Sequence, residues 1–454
     1  MKTRRLSLIL VMVILAMTWV PATFGAVSPE EAAKLGTTLT QTGAEKAGNK
    51  EGMIPPYTGG LTKPPANYVA SSAEPVDPFA GEKPLFSINA QNMAQYAGKL
   101  TEGTKDLLKR FPTFRIDVYK THRTIAFPDY VIKNTVINAV KATTANGGLS
   151  MKNAHAGIPF PIPKDGYEVM WNHLTHYQGR AWESSTVTDL VDSSGRMIPV
   201  GGGVMVNEYP YYDEGTPYDP DIYWKIRWFY NRPARKIGEA GLLFDPVNMA
   251  EKGRIVYQYL PGQRRVKLAP EVAFDTPNFD SAGSNVHDES FIFCGSMERY
   301  DMKLIEKKEL YVPYNVHKVY TRVKNQEEVL GPKHLNPDAI RWELHRMWVV
   351  EATLKQGKRH CYPKRRFYID EDSWTALACE NYDNGGKIAK IGYTMQIQHY
   401  VINAPCTKCH VFFNIPAGCY TISFWHAAEG YHRKVNPLPQ RDYSPDAIAG
   451  RGIR

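Results

Sequence analysis

Trp342, Leu344, Trp348, Val350, Ala352 and Leu354 share one parity, broken only by Arg346. Period 2 predicts a strand with one buried face, and Gly357 ends it. Phe367 to Asp370 and Trp374 to Leu377 flank Asp370-Glu371-Asp372-Ser373, which reads as a polar, solvated turn. Three antiparallel strands in sequence are expected here. One face carries large aromatics and the other Arg, Lys and Glu. A sheet of this kind packs on helices or holds an apolar ligand.

Helical patterns come early in the chain. Ser28 caps a short helix with Pro29 at its first position and Gly36 stops it. Met93, Tyr96, Leu100, Leu107 and Leu108 predict helix over 92–111, divided near Gly98 and Gly103. A strand through Phe114, Ile116 and Val118 precedes a second helical stretch over 128–143. Residues 164–177 form a short amphipathic helix capped by Asp165.

Strand patterns then dominate. They run over 177–195, 197–206 (loosened by Gly201 to Gly203), the strongly aromatic 221–230, and a hairpin around Pro261-Gly262-Gln263. Residues 278–288 read as loop and 289–298 fit helix or strand. Further strands are expected over 300–304, 308–312 and 390–402. No βαβ rhythm appears. The expected class is mainly β with helices (α+β): a large curved antiparallel sheet with helices on its concave face.

Composition narrows the function. The 454 residues suit one large β-rich unit or two related halves. A formal charge of +9, spread thinly, gives no clustered basic stripe and points away from nucleic acid. Lys2, Arg4 and Arg5 precede an apolar run from Leu6 to Val20 and a small-residue segment to Ala26. That is the pattern of a signal peptide over residues 1–26, cleaved between Thr23 and Val27. The apolar run falls short of the roughly 20 residues of a membrane span. A periplasmic chain, not membrane-spanning after cleavage, is expected. Residues 27–90 read as an extended arm over the domain, 91–430 as the main domain, and 431–454 as a loose tail.

Several words resemble one bacterial family. They include G-A-E-K-A-G-N at 43–49, Y-T-G-G-L-T-K-P-P from Tyr57 and T-H-R-T at 121–124. G-I-P-F-P-I-P-K at 157–164, Y-L-P-G-Q-R-R-V at 259–266 and F-Y-I-D-E-D-S-W at 367–374 belong to the same set. The chain resembles the family called domain of unknown function 1329, also described as outer-membrane lipoprotein-sorting-protein-like and related to LolA, LolB and LppX. The resemblance implies a half-open β-barrel of LolA-like type, lined with apolar side chains and closed by helices. It also implies a periplasmic carrier or adaptor for a lipid or other hydrophobic small molecule. The implied partners are an inner-membrane RND-type transporter and an outer-membrane β-barrel protein. No enzyme activity comes with it.

Trp224, Trp228, Tyr257, Tyr259, Trp342 and Trp348 are the candidate ligand-facing residues, with Trp171 and Tyr177 as a lid. The bland reading of each is core packing. Cys361 and Cys379 lie on the two arms of the strand pair around Asp372 and are disulfide candidates. Cys406-Thr407-Lys408-Cys409-His410 matches the attachment signature of haem c. The alternative function is therefore a periplasmic electron-transfer protein, with Met395, His399, His426 or His432 as second axial ligand. A zinc set of Cys406, Cys409, Cys419 and His426 has irregular spacing for a structural site. No metal is expected. There is no G-x-S-x-G, H-E-x-x-H or P-loop. Asp213 and Glu214, like Asp370 to Asp372, read as water-facing, and His122 as structuring a turn. No catalytic residue is assigned.

Overall fold

The computed structural model describes residues 26–69, 74–214 and 221–452. The expected signal peptide lies outside these residues, apart from Ala26. In chain order come α1 (Pro29–Ala32), β1 (Phe86–Ile88), α2 (Glu102–Arg110), β2 (Ile116–Val118) and α3 (Asp129–Ala139). A small hairpin, β3 (Thr143–Ala145) and β4 (Ser150–Lys152), leads to α4 (Gly166–Leu174). The first meander follows: β5 (Ala181–Val191), β6 (Met197–Glu208), β7 (Ile222–Arg232), β8 (Ala240–Pro246), β9 (Ile255–Leu260) and β10 (Arg265–Leu268). The second is built from β11 (Tyr300–Pro313), β12 (Arg341–Leu354), β13 (Lys364–Asp370), β14 (Ala376–Tyr382) and β15 (Ile388–Thr394). After the hairpin β16 (Ile397–His399) and β17 (Ala404–Cys406) come β18 (His410–Asn414), β19 (Cys419–Trp425), β20 (Tyr431–Lys434) and α5 (Pro445–Gly452).

Sixteen of these strands form one sheet, in the order β1-β2-β12-β13-β14-β15-β18-β19-β5-β6-β7-β8-β9-β10, with β11 on β12 and β20 on β5. Pairing among the described strands is antiparallel except where β2 meets β12. The path ends at β1 and β10 without joining them, so the sheet is curved but half-open. The seam between the meanders is β19 on β5, where Tyr420 faces Val191 and Trp425 faces Val187. There the Trp425 indole N–H donates to Asp189 Oδ2 at 2.8 Å.

Local expectations fare unevenly. The stretch over 92–111 splits into a 3-10 turn and α2, which Thr101 caps by accepting from the Thr104 N–H. Asp165 caps α4, as expected, by accepting from the Glu168 N–H at 2.9 Å. The two strands expected between Tyr300 and Val312 are one, with a bulge between Leu304 and Glu306. Strand β6 continues through Gly201 to Gly203, but its pairing is irregular there, with register shifts against β5 at Thr188/Asp189 and against β7 at Gly202/Gly203. Residues 289–298 form neither helix nor strand beyond the end of a short 3-10 turn at His287–Glu289. Residues 431–452 are not loose. Strand β20 pairs with β5, and Tyr443 and Ile448 are buried against Ala240, Leu242 and Tyr259.

The largest correction concerns charge. Strand β12 is buried on both faces, and Asp370, Glu371 and Asp372 are 0%, 2% and 3% exposed. They are not a solvated turn. Arg123, from the T-H-R-T stretch, grips Asp372 with both ends of its guanidinium, Nε at 2.9 Å and Nη2 at 2.7 Å. Arg346 donates to Glu371 Oε1 at 3.1 Å and to the Ala47 carbonyl at 3.1 Å. Lys307 ion-pairs with Glu371 and with Glu45. The Glu45 N–H donates to Glu371 Oε2 at 3.2 Å, and the Trp374 indole N–H donates to the Thr42 carbonyl at 2.8 Å. The turn therefore binds the N-terminal arm to the sheet. Burial works against the Asp372 charge, but the Arg123 fork outweighs it and holds that carboxyl below its usual range. Burial, then the Asp372 charge, push Asp370 up.

Two outcomes follow. Arg123→Met leaves buried carboxylates without their partner and is expected to cost about 3–5 kcal/mol of unfolding free energy, measured by urea titration. Burial pushes His176, His399 and His410 down to about 4, so they are neutral in the folded chain. The unfolded chain binds more protons between about pH 6.5 and pH 4, so stability falls as pH drops through that window. Urea midpoints measured at pH 7, 5.5 and 4 check the slope.

Candidate ligand cavity

Trp224, Ile226 and Trp228 alternate along β7 and point to the same side of the sheet. Across that side runs a strap of irregular chain from Ala269 to Glu298, with 3-10 turns at Phe279–Ser281 and His287–Glu289. Between sheet and strap lies a cavity of about 90 Å³. Its sheet wall is Trp224, Ile226 and Trp228 with Met205 and Leu243, and its strap wall includes Val272, Phe291 and Cys294. Phe424 from β19 closes one end. Aromatic packing sets the geometry. Phe291 and Phe424 stack at 5.3 Å between ring centroids, and Phe291 meets Trp224 edge-on at 5.9 Å.

Two glycines make room. A Cβ at Gly241 would sit 2.1 Å from the Trp228 ring, which lies across that position. One at Gly203 would sit 2.0 Å from the Phe229 carbonyl oxygen. Phe291 and Phe424 both hold left-handed backbone, φ 56° and 60°. For a bulky residue that conformation is held against a cost by its surroundings.

The charged groups at the wall lie in pairs, and burial pushes Asp280 up to about 7. Arg254 donates to both Asp245 oxygens at 2.7 Å, and Lys236 lies 3.6 Å from Asp280. Burial, then the Arg254 charge, push His287 down to about 4, so its imidazole is neutral near pH 7. A second void, about 20 Å³, shares Trp224, Phe291 and Cys294 with the first and reaches His173 and His176 on the α4 side. His173 bridges strap and sheet there. Its Nε2 bonds the Phe293 carbonyl at 3.0 Å, and its Nδ1 accepts from the Ala376 N–H at 3.1 Å.

The structure separates the residues grouped by sequence. Trp224 and Trp228 line the cavity. Tyr257 and Tyr259 lie on the other face of the sheet, in the cluster under α5. Trp171 is fully buried on α4, and its indole donates to the Gly148 carbonyl at 2.8 Å. Tyr177 accepts from the Tyr130 hydroxyl at 3.2 Å and packs edge-on to Tyr212. Trp342 packs on Tyr393 beside a separate void of about 10 Å³. Trp348 stacks on Trp374, under the N-terminal arm, at 6.1 Å. The strap residues leave no signal because no periodicity marks a 3-10-rich loop, and Phe424 leaves none because its left-handed backbone falls at a register shift in β19.

All six cysteines are free. Cys379 faces Phe367 across the β13–β14 ladder, whereas Cys361 lies exposed before β13 begins, so the expected disulfide does not form. Cys406 and Cys409 are buried beside Tyr320, whose hydroxyl bonds the Cys406 carbonyl and the Cys409 N–H. His410 is 2% exposed, packed at 5.7 Å from Phe291 and 5.6 Å from Phe424, with Nδ1 bonded to the Lys408 carbonyl at 2.9 Å. A haem attached at these thiols would have to displace this packing, so the residues as placed do not fit the group. Cys419 faces Asn414 at the far end of the β18–β19 ladder from His410, which breaks up the zinc set.

Fold and cavity together define a half-open antiparallel β protein with an apolar cleft under a strap. The chain belongs to the DUF1329 family, described as "Protein of unknown function", whose model matches residues 87–449. It is 37% identical over 434 residues to "Uncharacterized protein PA3922" of Pseudomonas aeruginosa, covering 94% of this chain and 95% of that one. Among solved structures it is similar to a putative outer membrane lipoprotein-sorting protein domain from Vibrio parahaemolyticus (15% identity, 63% of this chain, 98% of that chain, TM-score 0.42). A DUF1329 family protein from Desulfovibrio piger matches at 14% identity, 60% of this chain, 92% of that chain and TM-score 0.41.

Denatured without reductant, the protein is expected to react with six equivalents of a thiol reagent. A loss of two equivalents would reveal either a disulfide or a pair of thioether bonds to haem.

Proposed function

We propose that this protein is an exported carrier for a hydrophobic molecule, and that the cavity between β5–β8 and the strap receives it. The observation behind this reading is a space of about 90 Å³ walled by the aromatic side chains of Trp224, Trp228, Phe291 and Phe424. Covering apolar surface is worth roughly 25 cal/mol per Å², which is what a carrier supplies to a greasy molecule in water. Bound small molecules usually occupy about 300 Å³ or more, so loading requires the space to grow. Turning Phe291 aside would merge the two voids that share it and Trp224. The left-handed backbone at Phe291 and Phe424 is consistent with a segment held in a strained arrangement until ligand enters.

Export is part of the proposal and rests on the leader pattern. So are the partners, an inner-membrane RND-type transporter and an outer-membrane β-barrel protein, which rest on the family resemblance. The reading is of a binding protein rather than an enzyme. Cys294 and His287 both line the cavity, and there the Cys294 thiol donates to the His287 main-chain carbonyl at 3.6 Å rather than to its imidazole.

The test is to purify the protein natively, extract it with solvent and identify by mass spectrometry what is released. Displacement of an apolar fluorescent probe gives affinity. A co-purifying apolar molecule and saturable probe binding, weakened about tenfold or more by Trp228→Ala, are expected. An empty extract together with no saturable binding would overturn the carrier reading. Intact mass should place the mature N-terminus between Thr23 and Val27.

A further inference from the structure

The cavity carries a second kind of information, in its polar atoms. Thr186 and Thr188 project from β5 into its lining, and neither hydroxyl makes a hydrogen bond among the described residues. The two ring nitrogens of His287 are likewise without a hydrogen-bond partner there, although the residue is only 6% exposed. The Trp228 indole N–H is buried and unpartnered. Buried polar groups normally find partners; among the described residues the Trp228 N–H is the one of these that is both sealed off and unpartnered, and the two hydroxyls and the imidazole add hydrogen-bonding capacity to an otherwise apolar wall. All four are neutral. Two hydroxyls and an imidazole both donate and accept, and the indole donates.

Charge is arranged the opposite way. Arg254 holds Asp245 in a two-point grip through Nε and Nη2, with Cys294 Sγ 3.4 Å from its Nη2. Asp280 is held by the Tyr230 hydroxyl and Lys236. A phosphate or carboxylate entering here would be stripped of water and would have to compete with Asp245 and Asp280 for the two cations, which is costly. The flat aromatic faces of Trp224, Phe291 and Phe424 favour ring over chain.

We propose that the ligand is a compact, uncharged, ring-bearing apolar molecule carrying a hydroxyl or carbonyl group, and not an anionic acyl-chain amphiphile. The hydroxyl or carbonyl bonds the Thr186 and Thr188 hydroxyls on one wall or the His287 imidazole on the other, within the two or three hydrogen bonds that such a group can make. The ring body fills the space between Trp224 and Phe291. This inference rests on the carrier reading above and narrows it.

Binding of four probes to the whole mature protein, followed by calorimetry and tryptophan quenching, tests it: 1-naphthol, naphthalene, 1-naphthyl phosphate and palmitate. The expected order has 1-naphthol tightest, naphthalene weaker by roughly fivefold for the lost hydrogen bonding, and naphthyl phosphate weaker by about a hundredfold or more. In the near-isosteric double variant Thr186→Val, Thr188→Val the naphthol-to-naphthalene affinity ratio should fall toward one, with thermal melting used to confirm that the variant is folded. His287→Phe gives the same readout from the other wall. Palmitate or naphthyl phosphate binding as tightly as 1-naphthol, or an unchanged ratio in folded variants, would overturn this ligand class and leave the carrier reading standing. Failure of all four probes would count against both.

Discussion

Three consecutive acidic residues, withdrawn from water, are the constraint on which the rest of the structure turns. Asp370, Glu371 and Asp372 sit at the β13–β14 turn; Glu371 and Asp372 are matched by Arg123, Arg346 and Lys307, each from a different part of the chain, and Asp370 accepts from Tyr314 and Ser373. A buried charge tolerates no vacancy beside it, so these partners must all be in place at once. Arg123 brings the segment before α3, Lys307 brings β11, and Arg346 reaches from β12 to the arm at Ala47. The ions add little net stability against an apolar equivalent. What they specify is position: the arm has one way to lie, and the second meander has one set of neighbours.

With that half fixed, the first meander is left to make the cavity. The two halves are covered differently. Under β12 to β15, α2, the arm and α4 occupy the faces, and the voids near Trp342 are small. Over β5 to β8 the cover is a strap without regular structure, and the aromatic side chains meet imperfectly around a space. The opposite face of β7 to β9 is closed by α5 through Tyr443 and Ile448, which keeps the cavity floor rigid while its lid is loop.

The sequence made some of this legible and hid the rest for physical reasons. Parity along β12 was visible because every second residue is large and apolar. Its second face is hidden because Arg341, Glu343 and His345 look solvated, whereas they bond one another along the strand and reach Glu82, His122 and Asn315 from elsewhere in the chain. The aromatic alternation of Trp224, Ile226 and Trp228 showed which face of β7 is apolar. The same pattern at Tyr257 and Tyr259 pointed to the same face only because the terminal residues were read as loose. Once α5 packs on the far side, those tyrosines have a core of their own. The Cys361–Cys379 pairing failed on register: one strand pair placed Phe367, not Cys361, opposite Cys379. The strap was unreadable because contacts specified by 3-10 turns and left-handed residues leave no repeat.

The seam between β19 and β5 has a consequence for how this molecule comes into being. A chain delivered from its N-terminus presents β5 early, with one flank unpaired until residues 419–434 arrive. Such an unpaired flank is an invitation to pair with the wrong neighbour, and long-range closure of this kind is slow. The molecule thus has no finished half to protect it during delivery, and its sheet becomes continuous only when nearly the whole polypeptide is present.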